Sequence, residues 1–108
     1  KMVKQLKTKA EFDAVLKDAG SKLVVVDFTA TWCGPCQRIA PKFQELADAN
    51  PDAVFVKVDV DDNEETAGAC RIQAMPTFQF YVNGEKVDEF SGADAATLED
   101  KVKKNVPQ

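Results

Sequence analysis

Apolar residues recur along this chain in two periods, and the changes between them mark its elements. Thr8-Lys9-Ala10-Glu11 has the form of a capping box, and Phe12, Val15, Leu16 and Ala19 then fall on one helical face until Gly20 stops the pattern. The spacing predicts a helix over residues 9–19. Leu23-Val24-Val25-Val26-Asp27-Phe28 is a β-branched apolar run without alternation, as expected of a strand covered on both faces. From Gly34 to Ala49, the residues Ile39, Ala40, Phe43, Leu46 and Ala47 mark the apolar face of a second helix. Pro41 lies inside it, removes one internal hydrogen bond and is expected to kink it.

Ala53-Val54-Phe55-Val56-Lys57-Val58 reads as a further strand. Asp62-Asn63-Glu64-Glu65 supplies a capping signal for a short helix ending near Cys70. Residues Thr77 to Val82 and Lys86 to Phe90 flank Asn83-Gly84, a hairpin signal because both turn positions take positive φ. A last helix runs from Asp94 to Lys104, and a short first strand is expected over Val3 to Leu6. The order β-α-β-α-β-α-β-β-α joins a βαβ part to an antiparallel hairpin. The fold class is therefore α/β, three-layered, with a mixed sheet of five strands between four helices.

Composition narrows the function more than the fold. A chain of 108 residues suits one domain spanning 1–108. Eighteen acidic against fourteen basic side chains give a net charge of -4, which speaks against nucleic acid and anionic membrane as partners. No apolar stretch approaches the roughly 20 residues of a membrane span, and no apolar signal core follows Lys1-Met2-Val3-Lys4. Three cysteines, two of them in one short motif, do not form a secreted disulfide framework, so the expected location is the cytoplasm.

That motif is Trp32-Cys33-Gly34-Pro35-Cys36, placed where the second strand gives way to the second helix. At a helix N-terminus, unpaired N–H groups and the positive end of the dipole stabilise an anion, so the Cys33 thiol is expected to ionise most readily. Cys36, one turn further in, is expected to be more buried and to remain a thiol. Two intervening residues let the sulfurs close a small-ring disulfide, which makes Cys33–Cys36 a two-electron redox pair. Cys-x-x-Cys is also zinc-ligand spacing, but a structural zinc takes four ligands, while the chain has no His and one further Cys. A strand-to-helix corner is likewise a poor place for inert core cysteines. No metal and no bound organic cofactor are expected.

The segment Val26-Asp27-Phe28-Thr29-Ala30-Thr31-Trp32-Cys33-Gly34-Pro35-Cys36, then Met75-Pro76-Thr77, the Asn83-Gly84 hairpin and Gly92 resemble the thioredoxin family along nearly the whole chain. The resemblance implies a sheet ordered 1-3-2-4-5 and reduction of disulfides in client proteins. It also implies recycling by thioredoxin reductase, through which NADPH is used indirectly. Gly-Pro between the cysteines resembles the reducing members; oxidants and isomerases of this fold usually carry His before the second cysteine. Thr29 stands where bacterial members have a second Trp, so the chain resembles the animal and fungal branch. Ala74 stands where some animal members carry a cysteine that joins two molecules, so a monomer is expected.

Around the dithiol, Asp27 is an acid inside an apolar strand, a costly position unless the group is paired, hydrogen-bonded or protonated. Pattern alone also allows it a solvated strand end. The resemblance implies that it is buried behind Cys36 and helps move that cysteine's proton. Lys57 matches the lysine that accompanies this Asp in bacterial members, and an edge-exposed lysine would read identically. The resemblance further implies a cis Met75-Pro76 bond facing the dithiol. Trp32, Gly34, Pro35, Ala74, Met75, Pro76, Gly92 and Ala93 would then form a low, mostly apolar client surface. Cys70 reads as a packing residue rather than a regulatory thiol. A non-catalytic module of this fold and an oxidant or isomerase are the rival readings.

Overall fold

The computed structural model describes residues 3–107; Lys1, Met2 and Gln108, which the expected domain includes, lie outside the described residues. The elements run β1 (Lys4–Gln5), α1 (Lys9–Ala19), β2 (Val24–Thr29), α2 (Gly34–Ala49), β3 (Val54–Asp59), α3 (Glu64–Ala69), β4 (Thr77–Val82), β5 (Glu85–Ser91) and α4 (Ala95–Asn105). The sheet order is β1-β3-β2-β4-β5, with β1, β3 and β2 parallel and β4 and β5 antiparallel additions. This is the mixed five-stranded α/β arrangement that the resemblance implied.

Side chains alternate along β2, and the alternation splits the core into two layers. Val25 packs with Ile39, Phe43 and Leu46 of α2 and with Leu98 and Val102 of α4. Val24, Val26 and Phe28 pack on the other face with Phe12 of α1. By the same alternation Asp27 shares the face of Val25, under α2. Every residue of β2 from Val24 to Phe28 is buried, which explains why the strand shows no alternation in sequence.

Several details differ from expectation. The buried face of α2 includes Cys36 and leaves Ala40 exposed: Cys36, Ile39, Phe43, Leu46 and Ala47 form one helical stripe, and Ala40 falls beside it. Glu11 accepts from the backbone N–H of Lys7, one residue beyond the reciprocal partner of a capping box, while Thr8 caps Glu11 as expected. Asn83 and Gly84 both have positive φ, as the hairpin demands. β5 is longer than predicted and carries a bulge: Phe80 faces Asp88 and Tyr81 faces Lys86, which leaves Val87 as the extra residue. β1 is shorter than predicted, with Leu6 still donating its N–H to the Lys57 carbonyl.

Candidate active site

Strands β2 and β3 end level, with Thr29 opposite Asp59. Beyond them the Cys33 N–H donates to the Ala30 carbonyl at 3.2 Å, a turn that delivers the chain into α2. Cys33 is the N-cap residue of α2, in extended conformation, and its Sγ accepts from the Cys36 N–H at 3.2 Å. A sulfur so placed occupies the anion position of a helix N-terminus. Pro35 in the first turn has no N–H to leave unpaired there. Cys33 and Cys36 are joined in a disulfide, with Cα atoms 5.3 Å apart. The two cysteines pack with fully buried Ala30 and with Val60 and Met75. In this oxidised state both are nearly covered, Cys33 at 5% exposure and Cys36 at 1%.

The Met75–Pro76 peptide bond is cis. The Met75 carbonyl oxygen lies 3.8 Å from Cys33 Sγ; the disulfide sulfur carries no proton, so this is a contact. Pro76 is buried, and the Gly92 N–H donates to its carbonyl at 2.9 Å. Gly92 has φ 106°, where a side chain would be strained, so a glycine is required for this closure. Thr77 Oγ1 contacts both the Ala74 carbonyl and Ser91 Oγ, which fixes the loop from below. Ala74, Gly92, Ala93, Gly34 and Pro35 are exposed, Met75 is half-buried, and Trp32 is the most exposed large apolar side chain among the described residues, at 66%. What the loop presents is therefore Ala74 and Met75, with Pro76 behind them.

Asp27 is 4% exposed, and its Oδ1 has no hydrogen-bond partner. Burial raises its pKa from 3.8 to about 7, against the opposing pull of the Lys57 ammonium. Lys57 is its register partner on β3 and is half-buried, an interior-strand position and not an exposed edge. Asp27, Cys36, Gln37, Lys57 and Asp59 line one cleft of about 120 Å³ between α2 and the strands. The solvated alternative for Asp27 does not survive this burial.

Three hydrogen bonds were not read from the sequence. The indole N–H of Trp32 donates to Asp61 Oδ2 at 2.7 Å, and Asp59 Oδ1 accepts from the N–H of Asp61 at 2.9 Å, which shapes the turn presenting that carboxylate. The signal available was the aspartate-rich exit of β3 beside the exit of β2. Gln37, next to Cys36, donates from Nε2 to the Ala30 carbonyl at 3.0 Å.

Cys70 lies apart from the dithiol, in the core layer of Phe12 and Tyr81, 3.9 Å from the Tyr81 hydroxyl. Burial raises its pKa, with the Tyr81 hydrogen bond opposing. Among the described residues no group of three His, Cys, Asp or Glu is placed to hold a metal ion.

The sequence model of the thioredoxin family matches residues 3–104. A thioredoxin of Geodia cydonium is 63% identical over 105 residues, covering 96% of this chain and 99% of its own. One from Gallus gallus is 56% identical over 102 residues, covering 94% and 97%. The X-ray structure of Fasciola hepatica thioredoxin superposes with a TM-score of 0.94 at 44% identity, over 95% of this chain and 99% of that one. A dithiol pair closed as a disulfide at a helix N-terminus, in this sheet order and at these identities, places the chain in the thioredoxin family of thiol-disulfide oxidoreductases.

Proposed function

We propose that the chain is a single-domain protein-disulfide reductase in which Cys33 attacks and Cys36 resolves. The Cys33 thiolate attacks one sulfur of a client disulfide; a Cys33–client disulfide forms, and the other client sulfur leaves as a thiolate and takes up a proton. Cys36 then loses its proton to the Asp27 carboxylate and attacks the Cys33 sulfur. The Cys33–client bond breaks, the second client sulfur leaves as a thiolate and takes a proton from water, and the Cys33–Cys36 disulfide of this structure remains. Two electrons pass to the client, and the protons on its two thiols come from water, which receives those shed by Cys33 and Cys36.

The observation that carries this reading is the asymmetry of the pair: Cys33 Sγ accepts a helix N-terminal N–H, whereas Cys36 faces the cleft of a buried carboxyl. Lys57 supports Asp27 by its charge, and Pro76 seats the loop of Met75. The exposed surface of Trp32, Gly34, Ala74, Met75, Gly92 and Ala93 receives an extended client segment with little demand on its sequence. The chain works as a monomer in the cytoplasm, and thioredoxin reductase returns it to the dithiol with electrons from NADPH. No helix among the described residues is long and apolar enough to cross a membrane.

Reduction of insulin with dithiothreitol as electron source tests the activity, and turnover no faster than dithiothreitol alone would favour a non-catalytic module. Titration against glutathione tests the direction. A disulfide that glutathione readily reduces would assign an oxidant or isomerase.

A further inference from the structure

We infer that Gln37 is a positioning residue for proton transfer from Cys36, its side-chain amide bracing the wall of the cleft through which the Asp27 carboxyl exchanges with solvent. The inference rests on the proposed role of Asp27. The cleft has two lobes, one of about 120 Å³ beside Cys36 and one of about 360 Å³ further along α2. Four residues line both lobes: Asp27, Gln37, Ala40 and Lys57. Asp27 and Lys57 belong to the sheet, and Gln37 and Ala40 to α2, so these four stand at the junction of the lobes. Ala40 is short. Gln37 is thus the longer of the two helix side chains there; it is exposed, so it stands at the solvent mouth of the junction, where its bond to the Ala30 carbonyl holds it.

That carbonyl belongs to a fully buried residue and also accepts the Cys33 N–H at 3.2 Å. One acceptor therefore anchors both the residue that caps the helix and the residue that follows Cys36. Asp27 Oδ1 is buried and unpartnered on the sheet side of the same cleft. When Cys36 gives its proton to Asp27, the carboxyl must later pass that proton to water, and the two lobes are the path the structure offers. The titratable and charged groups in them are Asp27, Cys36, Lys57 and Asp59. β4 presents Phe78 opposite Asp27, and β1 contributes Gln5, which donates to Asp62; neither side chain titrates.

Removing the Gln37 amide widens the junction, hydrates the Asp27 carboxylate and stabilises its charged form. A carboxylate there disfavours the charged form of Asp27 by like-charge repulsion and also replaces the donor to Ala30 with a group that repels that carbonyl. The test follows reduced protein in stopped flow with an aromatic disulfide, whose two thiolates leave in successive phases; the second phase reports resolution by Cys36. Its rate is measured from pH 5 to 9 in the parent, Gln37→Ala and Gln37→Glu, each also in an Asp27→Asn background. The expected result is an inflection that falls by about one pH unit in Gln37→Ala and rises in Gln37→Glu, a tenfold change in ionisation balance per unit. Neither substitution should move a profile that lacks Asp27. An inflection unmoved by both substitutions overturns the inference, as do equal rate losses with and without Asp27, which would make Gln37 a helix support only. An inflection that survives Asp27→Asn removes the Asp27 role itself, and this inference with it.

Discussion

Asp27→Asn should stabilise the oxidised protein, and the gain should depend on pH. With its folded value at about 7 and its ordinary value at 3.8, Asp27 is protonated in both states below 3.8 and its ionisation costs nothing there. Between the two values folding requires proton uptake, so stability declines as pH rises, and above 7 the full penalty stands. The gap spans about three pH units, which at 1.36 kcal/mol per unit is on the order of 4 kcal/mol. This is a ceiling, because the carboxyl lines a surface cleft and not a closed core site. Asn brings its own cost of about 1–3 kcal/mol for an unpaired buried amide, since Oδ1 already lacks a partner. Taking the difference between parent and variant at pH 8, less the same difference at pH 4, cancels that cost and leaves ionisation alone. Urea unfolding of the disulfide form, in which Cys33 and Cys36 do not titrate, supplies both numbers. The stability difference should move in favour of the variant by several kcal/mol from pH 4 to pH 8; an equal difference at the two values would show that Asp27 ionises as a surface carboxyl does.

The remaining predictions concern the dithiol and its surroundings. Cys36→Ser should accumulate mixed disulfides with clients on a non-reducing gel, since the nucleophile survives without its intramolecular resolving thiol, whereas Cys33→Ser should trap nothing and Cys70→Ser should match the parent. Trapping by Cys33→Ser instead would reverse the roles. Asp61→Ala should release the Trp32 indole, visible in the fluorescence of the single Trp, and slow attack on protein disulfides several-fold more than on small ones. Asp61→Asn, which keeps an acceptor oxygen, should restore much of the difference; a uniform effect on both substrates would deny Trp32 a place in client contact. Thr8→Ala should cost about 1 kcal/mol in urea unfolding through loss of the α1 cap, with activity unaffected.

The fold was legible wherever a local rule dictates the outcome. Thr8, Asn63 and Asp94 all accept from the N–H three residues on, as short polar side chains before helices do. Asn83-Gly84 forces the β4–β5 turn for the same kind of reason. Periodicity was less reliable at α2, where Ala40 is as apolar as its neighbours but faces out, since an alanine loses little by exposure. The strand order required the resemblance. Nothing local says that Lys4 pairs with Val56, fifty-two positions away, because that choice is made by the crossover through α1 and by burial of Leu6 against Asn63, whose amide donates to the Leu6 carbonyl.

The site was legible one residue at a time but not as contacts. Period two along β2 already puts Asp27 on the face of Val25, yet only the β2–β3 register places Lys57 beside it and brings Asp61 to Trp32. The register also bears on a question that exposure cannot answer. Cys33 and Cys36 differ by four percentage points of accessibility, too little to make one the nucleophile and the other the resolving thiol. What separates them is the charge each would meet. An anion on Cys33 accepts the Cys36 N–H at the positive end of α2, while an anion on Cys36 would form in the cleft of a carboxyl that carries its own charge above about pH 7. Two like charges in one cleft disfavour each other, which supports the proposed reading of Cys36 as the thiol that keeps its proton until resolution. The asymmetry of the dithiol is therefore electrostatic. It follows from the helix terminus at Cys33 together with one strand position that places an acid where an apolar residue would have packed better.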